Sequence, residues 1–191
     1  MNWSDEGIVL SARKHGESAA IVTLLTRTNG RYSGLVHGGS GSRARGIYQT
    51  GNLVSADWRA RLSEHLGTMS CELLRPYSAA LMTERLPLLA LISAGAILER
   101  LLPEREPHPE TFERFQALIE SLGDGPDWVT GYVHWERRLL EDLGYGLDLT
   151  ACAATGTTDD LIYVSPRTGC AVSAGAGAPY SDKLLKLPAF F

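Results

Sequence analysis

Asn52-Leu53-Val54-Ser55-Ala56-Asp57-Trp58-Arg59-Ala60-Arg61-Leu62 is the stretch that decides the fold. Side chains of an extended strand alternate between two faces. Val54, Ala56, Trp58, Ala60 and Leu62 therefore share one face, and Ser55, Asp57, Arg59 and Arg61 the other. One face needs a core, and the other carries arginine into solvent. Upstream, residues 7–13, 19–27 and 31–37 read as three more strands, turned at His15-Gly16-Glu17 and Asn29-Gly30. Asn-Gly tolerates the positive φ of a tight hairpin. Residues 66–74 read as a fifth strand. Between the third and fourth lies Gly38-Gly39-Ser40-Gly41-Ser42-Arg43-Ala44-Arg45-Gly46, expected as a flexible loop without regular structure. Five short strands with one long loop after the third match a closed or partly open barrel of the OB type.

The rest of the chain changes character at Arg75-Pro76, since proline disfavours helix at the residue before it. Residues 86–102 read as a helix apolar nearly all round, hence central. Residues 103–110, rich in proline and glutamate, read as a solvated linker. Residues 110–122 form an amphipathic helix with Phe112, Phe115, Leu118, Ile119 and Leu122 on one face. Gly123-Asp124-Gly125-Pro126 breaks it. Residues 128–143 form the next helix, stopped by Gly144. Residues 161–165 and 170–173 look like two short strands of a hairpin. The apolar end Leu187-Pro188-Ala189-Phe190-Phe191 points either to burial of that end or to a shortened chain. The expected organisation is thus α+β, with a barrel over residues 1–75 and a helical domain over 76–191.

Among 191 residues the net charge is −4, but it divides unevenly. Residues 1–75 hold nine basic and six acidic side chains, a net +3, and residues 76–191 hold nine and sixteen, a net −7. A basic lobe can bind phosphate locally even in an acidic chain, although a mixed solvated surface gives the same count. Three cysteines, Cys71, Cys152 and Cys170, argue against a disulfide framework and fit a reducing cytoplasm. No secretory signal is visible, and no apolar run is long enough to span a bilayer.

The candidate phosphate contacts are Arg13, Lys14, Arg27, Arg31, Arg43, Arg45, Arg59 and Arg61. Arginine keeps its charge and can grip phosphate through two hydrogen bonds. Single-strand binding pairs such a groove with aromatic faces on which bases stack. Tyr48, beside the loop, is the candidate stacking residue, while Trp58 lies on the core side. Each arginine taken alone is equally well a solvated surface charge. The Gly/Ser loop lacks the Gly-Lys-Ser/Thr ending of a nucleotide-phosphate loop. The five histidines show no ligand spacing, and no catalytic constellation is found. Cys152 and Cys170 flank the hairpin as zinc-ribbon ligands do, but their partner positions are Thr155 and Ser173. A structural zinc needs four ligands, so a degenerate remnant without metal is expected there.

Gly7-Ile8-Val9-Leu10, His15-Gly16-Glu17-Ser18, Leu25-Thr26-Arg27, Gly30-Arg31, Gly34-Leu35-Val36, Gly51-Asn52-Leu53-Val54 and Trp58-Arg59-Ala60-Arg61 resemble the RecO family of bacterial recombination mediators. Leu147-Asp148-Leu149-Thr150-Ala151-Cys152, Tyr163-Val164-Ser165-Pro166 and Leu187-Pro188 extend the resemblance over essentially the whole chain. It implies an N-terminal OB-fold, a helical domain and a zinc-ribbon-like hairpin, here a degenerate insertion near residues 150–175. It implies binding of single- and double-stranded DNA, strand annealing and no bond-making catalysis; no cofactor is expected, and the two missing cysteines of the ribbon disfavour zinc without removing it as an alternative. The implied partners are RecR and single-stranded DNA-binding protein, with RecA served indirectly. The implied setting is the cytoplasm, on the nucleoid. Where family members carry a denser basic run, this chain has Gly39-Ser40-Gly41-Ser42. A protein-interaction adaptor with weak intrinsic DNA binding is the competing reading.

Overall fold

The computed structural model describes the whole chain except Ser63, Asp124, Pro126, Ala189 and Phe191, and for Arg43 the backbone alone. The expected break at 123–126 and the expected fate of the apolar end thus fall partly outside the described residues. The chain is mixed α+β and divides into two compact units, Met1–Gly131 and Tyr132–Phe191.

Five strands open the first unit: β1 (Asn2–His15), β2 (Ala19–Thr26), β3 (Gly30–Val36), β4 (Leu53–Arg59) and β5 (Thr68–Arg75). They close into a barrel in the order β1-β2-β3-β5-β4. β1 is twice the expected length because it serves two neighbours. Its first half pairs with β4 from Asn2↔Arg59 to Ile8↔Leu53, and its second half with β2 from Gly7↔Thr26 to His15↔Ala19. An irregularity between Val9 and Ser11 supplies the bend between the two. The seam between β3 and β5 is closed by the single parallel pair Leu35↔Thr68.

The alternation in the opening stretch sets the barrel interior. Val54, Ala56 and Trp58 join Val9, Val22, Leu24, Tyr32, Val36, Tyr48 and Met69 in one buried cluster. Trp58 is 1% exposed, as its place on the apolar face requires, and its indole N–H donates to the Leu66 carbonyl at 2.9 Å. A side chain at Gly67, where φ is +68°, would sit 2.6 Å from the Trp58 ring. Leu62, expected on the same face, lies beyond the strand end and is exposed.

The Gly/Ser/Arg segment contains a helix, contrary to the expectation of an irregular loop: α1 (Ser42–Ile47). Glycines at 38, 39, 41 and 46 hide it in the sequence, and because Gly46 lies inside the helix, propensity alone does not account for it. The end of α1 is held from outside, since the fully buried Asn52 amide donates to the carbonyls of Gly46 (2.9 Å) and Ile47 (3.1 Å).

Four more helices follow: α2 (Tyr77–Leu81), α3 (Arg85–Leu101), α4 (Pro109–Ser121) and α5 (Trp128–Asp142). α3 is not buried all round. Leu91, Ala94, Gly95 and Leu98 are buried, while Leu86 is 65% exposed and Leu89 and Ile92 lie outward with it. The buried face sits on the barrel through close backbone approach. A Cβ on Gly95 would meet the Thr50 methyl at 2.8 Å, and one on Gly51 would meet Leu91 at 2.6 Å. α4 buries the predicted Phe112, Phe115, Leu118 and Ile119. Residues 103–110 are not a free linker. Glu104 bridges Arg31 of β3, and the Arg105 N–H donates to the Arg31 carbonyl at 2.9 Å. No helix among the described residues is long and apolar enough to cross a membrane.

The second unit holds a three-stranded sheet, β6 (Leu161–Val164), β7 (Ala171–Ser173) and β8 (Leu185–Lys186), in the order β7-β6-β8. The expected hairpin is the β6–β7 pair. The four-residue α6 (Ala174–Gly177) follows β7. Gly144, with φ of +84°, ends α5 as its position after the last apolar residue predicts. Phe190, in the apolar end, is exposed.

Candidate nucleic-acid interface

The predicted cations separate into two groups. Arg13, Arg27 and Arg31 face the helices and are held by carboxylates of this same chain. Arg13 pairs with Glu99 at 2.9 Å. Arg27 pairs with Glu6 at 3.0 Å and with Glu113, and its guanidinium lies 4.4 Å over the Phe112 ring. Arg31 is the most enclosed, its side chain 16% exposed. It donates to the Leu102 carbonyl at 2.8 Å and pairs with Glu104 at 3.2 Å. These arginines fasten the barrel to α3, α4 and the segment between them. Their acidic partners were missed in the sequence, although the opposed charge of the two halves was the available signal.

Lys14, Arg45, Arg59 and Arg61 form the second group. All four are exposed, and they form no ion pair among the described residues. Lys14 and Arg45 line a cleft of about 680 Å³ between the β1–β2 turn and α1, together with Glu17, Ser40 and Tyr48. Arg59 lines an adjoining cleft of about 430 Å³ with His37, Asp57, Thr68 and Cys71. Tyr48 borders both clefts. Arg61 follows the end of β4 and lines neither. The Arg43 side chain is outside the described residues.

Tyr48, expected as a stacking face, is only 7% exposed and belongs to the barrel cluster. It packs into that cluster and leaves little surface for a base to stack on. Burial pushes its hydroxyl up to about 12, with the Cys71 thiol beside it adding to the shift. Cys71 is pushed up to about 12 as well, chiefly by burial. Both groups stay neutral at physiological pH, so the charge of the two clefts comes from their basic and acidic side chains alone.

In the second unit, Cys152 is buried, and its sulfur accepts the Ser173 N–H at 3.3 Å. Hydrogen bonds from the Ser173 and then the Thr155 side chains pull its thiol down to about 6. The two non-cysteine positions of the ribbon pattern are therefore hydrogen-bond partners of Cys152. Two thiols and two hydroxyls do not make the ligand set a structural zinc requires.

A closed five-stranded barrel, a helix inserted after its third strand and a helical segment fastened by arginine–carboxylate pairs define a two-module class of protein. The family described as Recombination protein O N terminal matches residues 1–77, and that described as Recombination protein O C terminal matches residues 82–191. The DNA repair protein RecO of Rhodospirillum centenum is 54% identical over 192 residues, which cover 100% of this chain and 76% of that protein. The DNA repair protein RecO of Afipia carboxidovorans is 51% identical over 190 residues, with the same coverage. That of Rhodopseudomonas palustris strain BisB18 is 52% identical over 190 residues, covering 100% of this chain and 74% of the relative. The chain belongs to the RecO family.

Proposed function

We propose that this chain is a DNA repair and recombination mediator that binds single- and double-stranded DNA at the α1 end of its barrel. The observation that carries the reading is a set of exposed cations with no carboxylate partner among the described residues: Lys14, Arg45 and Arg59 line two clefts that share Tyr48, and Arg61 follows just past the end of β4. Cations free of internal carboxylates can neutralise phosphates at no cost in broken ion pairs. Two strands so neutralised can approach each other, which is the physical requirement of annealing. The strand order β1-β2-β3-β5-β4 with a helix after β3 supports an OB-type barrel. The relatives' names support the repair role. In this reading the protein works in the cytoplasm, on the nucleoid, without bond-making catalysis, metal or cofactor. It acts with RecR on DNA coated by single-stranded DNA-binding protein, and so assists RecA loading. The sheet of the second unit is a degenerate zinc-ribbon-like hairpin in which hydrogen bonds to Cys152 stand where metal ligands would.

The test is a titration of a fluorescent single-stranded oligonucleotide at several salt concentrations, wild type beside Arg45→Glu/Arg59→Glu. Affinity should fall with salt by a log–log slope of about −0.7 per phosphate contacted, or about −3 for four cations. The double variant should lose most of the binding. Salt-independent binding, or binding the variant retains, contradicts the reading. The ion-paired state of Arg13, Arg27 and Arg31 favours a second reading, an adaptor with weak DNA affinity of its own. Capture of RecR or single-stranded DNA-binding protein without measurable binding of free DNA is its signature.

A further inference from the structure

Asn52 is fully buried, and every polar atom of its side chain is used. Its amide nitrogen donates to the carbonyls of Gly46 at 2.9 Å and Ile47 at 3.1 Å, the unsatisfied carbonyls at the end of α1. Its amide oxygen accepts from the Ser78 backbone N–H at 3.1 Å and the Ser78 hydroxyl at 2.8 Å, at the start of α2. Both donors face carbonyls and the acceptor faces an N–H, so only one orientation of the amide satisfies the site. A single side chain thus caps the C-terminus of one helix and the N-terminus of another. The link spans the junction between the two family matches, which meet between residues 77 and 82.

We propose that Asn52 is a positioning residue for DNA binding: through its double cap it fixes α1, with Arg45, against the helical segment that begins at α2. The proposal rests on the reading that DNA binds at the α1 end. α1 has six residues, too few to hold its own direction in water. Tyr48 supports it from the barrel side and Asn52 from the helical side. Without the amide, all the cations remain but Arg45 loses its fixed place relative to Lys14 and Arg59.

The experiment compares variants of this chain in the oligonucleotide titration, each at a temperature where it is folded. Asn52→Asp keeps the acceptor for Ser78 but turns a carboxylate oxygen toward the Gly46 and Ile47 carbonyls. Ser78→Ala removes one hydrogen bond only. Leu118→Ala, in the helical core, is a control for general destabilisation, and Arg45→Ala tests the DNA site itself. Affinity should drop about fivefold in Asn52→Asp and about twofold in Ser78→Ala, from the size of a lost helix cap. Leu118→Ala should bind as wild type does. If Asn52→Asp does not fold, Ser78→Ala decides. Weakened binding in Arg45→Ala with wild-type binding in both Asn52→Asp and Ser78→Ala overturns the inference and leaves the DNA reading standing. Equal weakening in Leu118→Ala overturns it too. A wild type that binds no strand overturns the DNA reading, and the inference with it.

Discussion

Single side chains show how much local chemistry the chain spends on holding itself together. Arg27 is the densest case, with two carboxylates and an aromatic face around one guanidinium. Such a residue cannot offer the same hydrogen bonds to a phosphate without first releasing Glu6 and Glu113. Cys152 is the other case. Its thiol, ordinarily near 9.0, is drawn down to about 6 by Ser173 and Thr155, so the folded chain favours the thiolate. A group whose acidity is raised by folding adds stability above its unfolded value and loses it as pH falls through the folded one. Urea midpoints of the wild type should therefore decline between pH 9 and pH 6. In Cys152→Ala that part of the decline should vanish, and an unchanged profile would remove the thiolate from the account.

At the scale of elements, segments expected to be irregular are the ones most tightly held by distant partners. Residues 103–110 read as linker because prolines and glutamates carry no periodicity. In the fold, Gly30 makes room for them: φ there is +76°, and a Cβ would lie 1.9 Å from the Glu106 carbonyl oxygen. Gly30→Ala should cost about 2 kcal/mol or more in urea denaturation, through backbone strain and displacement of this segment. A loss below about 0.5 kcal/mol would show the segment yields freely. The five strands and the long helices were legible, because periods of two and 3.6 survive in single stretches such as Val54 to Trp58 and Phe112 to Ile119. α1 was not legible, since its cap, Asn52, acts through space. Nor was the outward face of α3, because apolar character all round says nothing about which side meets the barrel. Tyr48 was misjudged for a similar reason: a residue beside a glycine loop can still pack into the barrel cluster.

For the molecule as a whole, the opposed charges of the two halves acquire a second meaning. Read along the chain, a basic lobe and an acidic lobe suggested a site for DNA. In the first unit, part of that complementarity is spent internally, in the Arg13–Glu99 and Arg31–Glu104 pairs. Both pairs border one cleft on the β1–β3 side of the barrel, beside Arg100. Removing the carboxylate charge by Glu99→Gln/Glu104→Gln should release two cations toward solvent. Oligonucleotide affinity at low salt should rise about two- to fivefold and its salt dependence should steepen, since each added phosphate contact raises the slope by about 0.7. Unchanged affinity would mean that DNA never reaches this side. The barrel itself has an uneven rim. Along β1 and β4 the strands match residue for residue from Asn2 to Ile8, but β3 meets β5 at Leu35↔Thr68 alone, with the Leu35 N–H donating to the Gly67 carbonyl at 3.0 Å. Mechanically this is a bracelet with one clasp. A pull that parts β3 from β5 therefore meets fewer backbone hydrogen bonds than one that parts β1 from β4, and depends more on the packing of Tyr32 and Val36 with Met69.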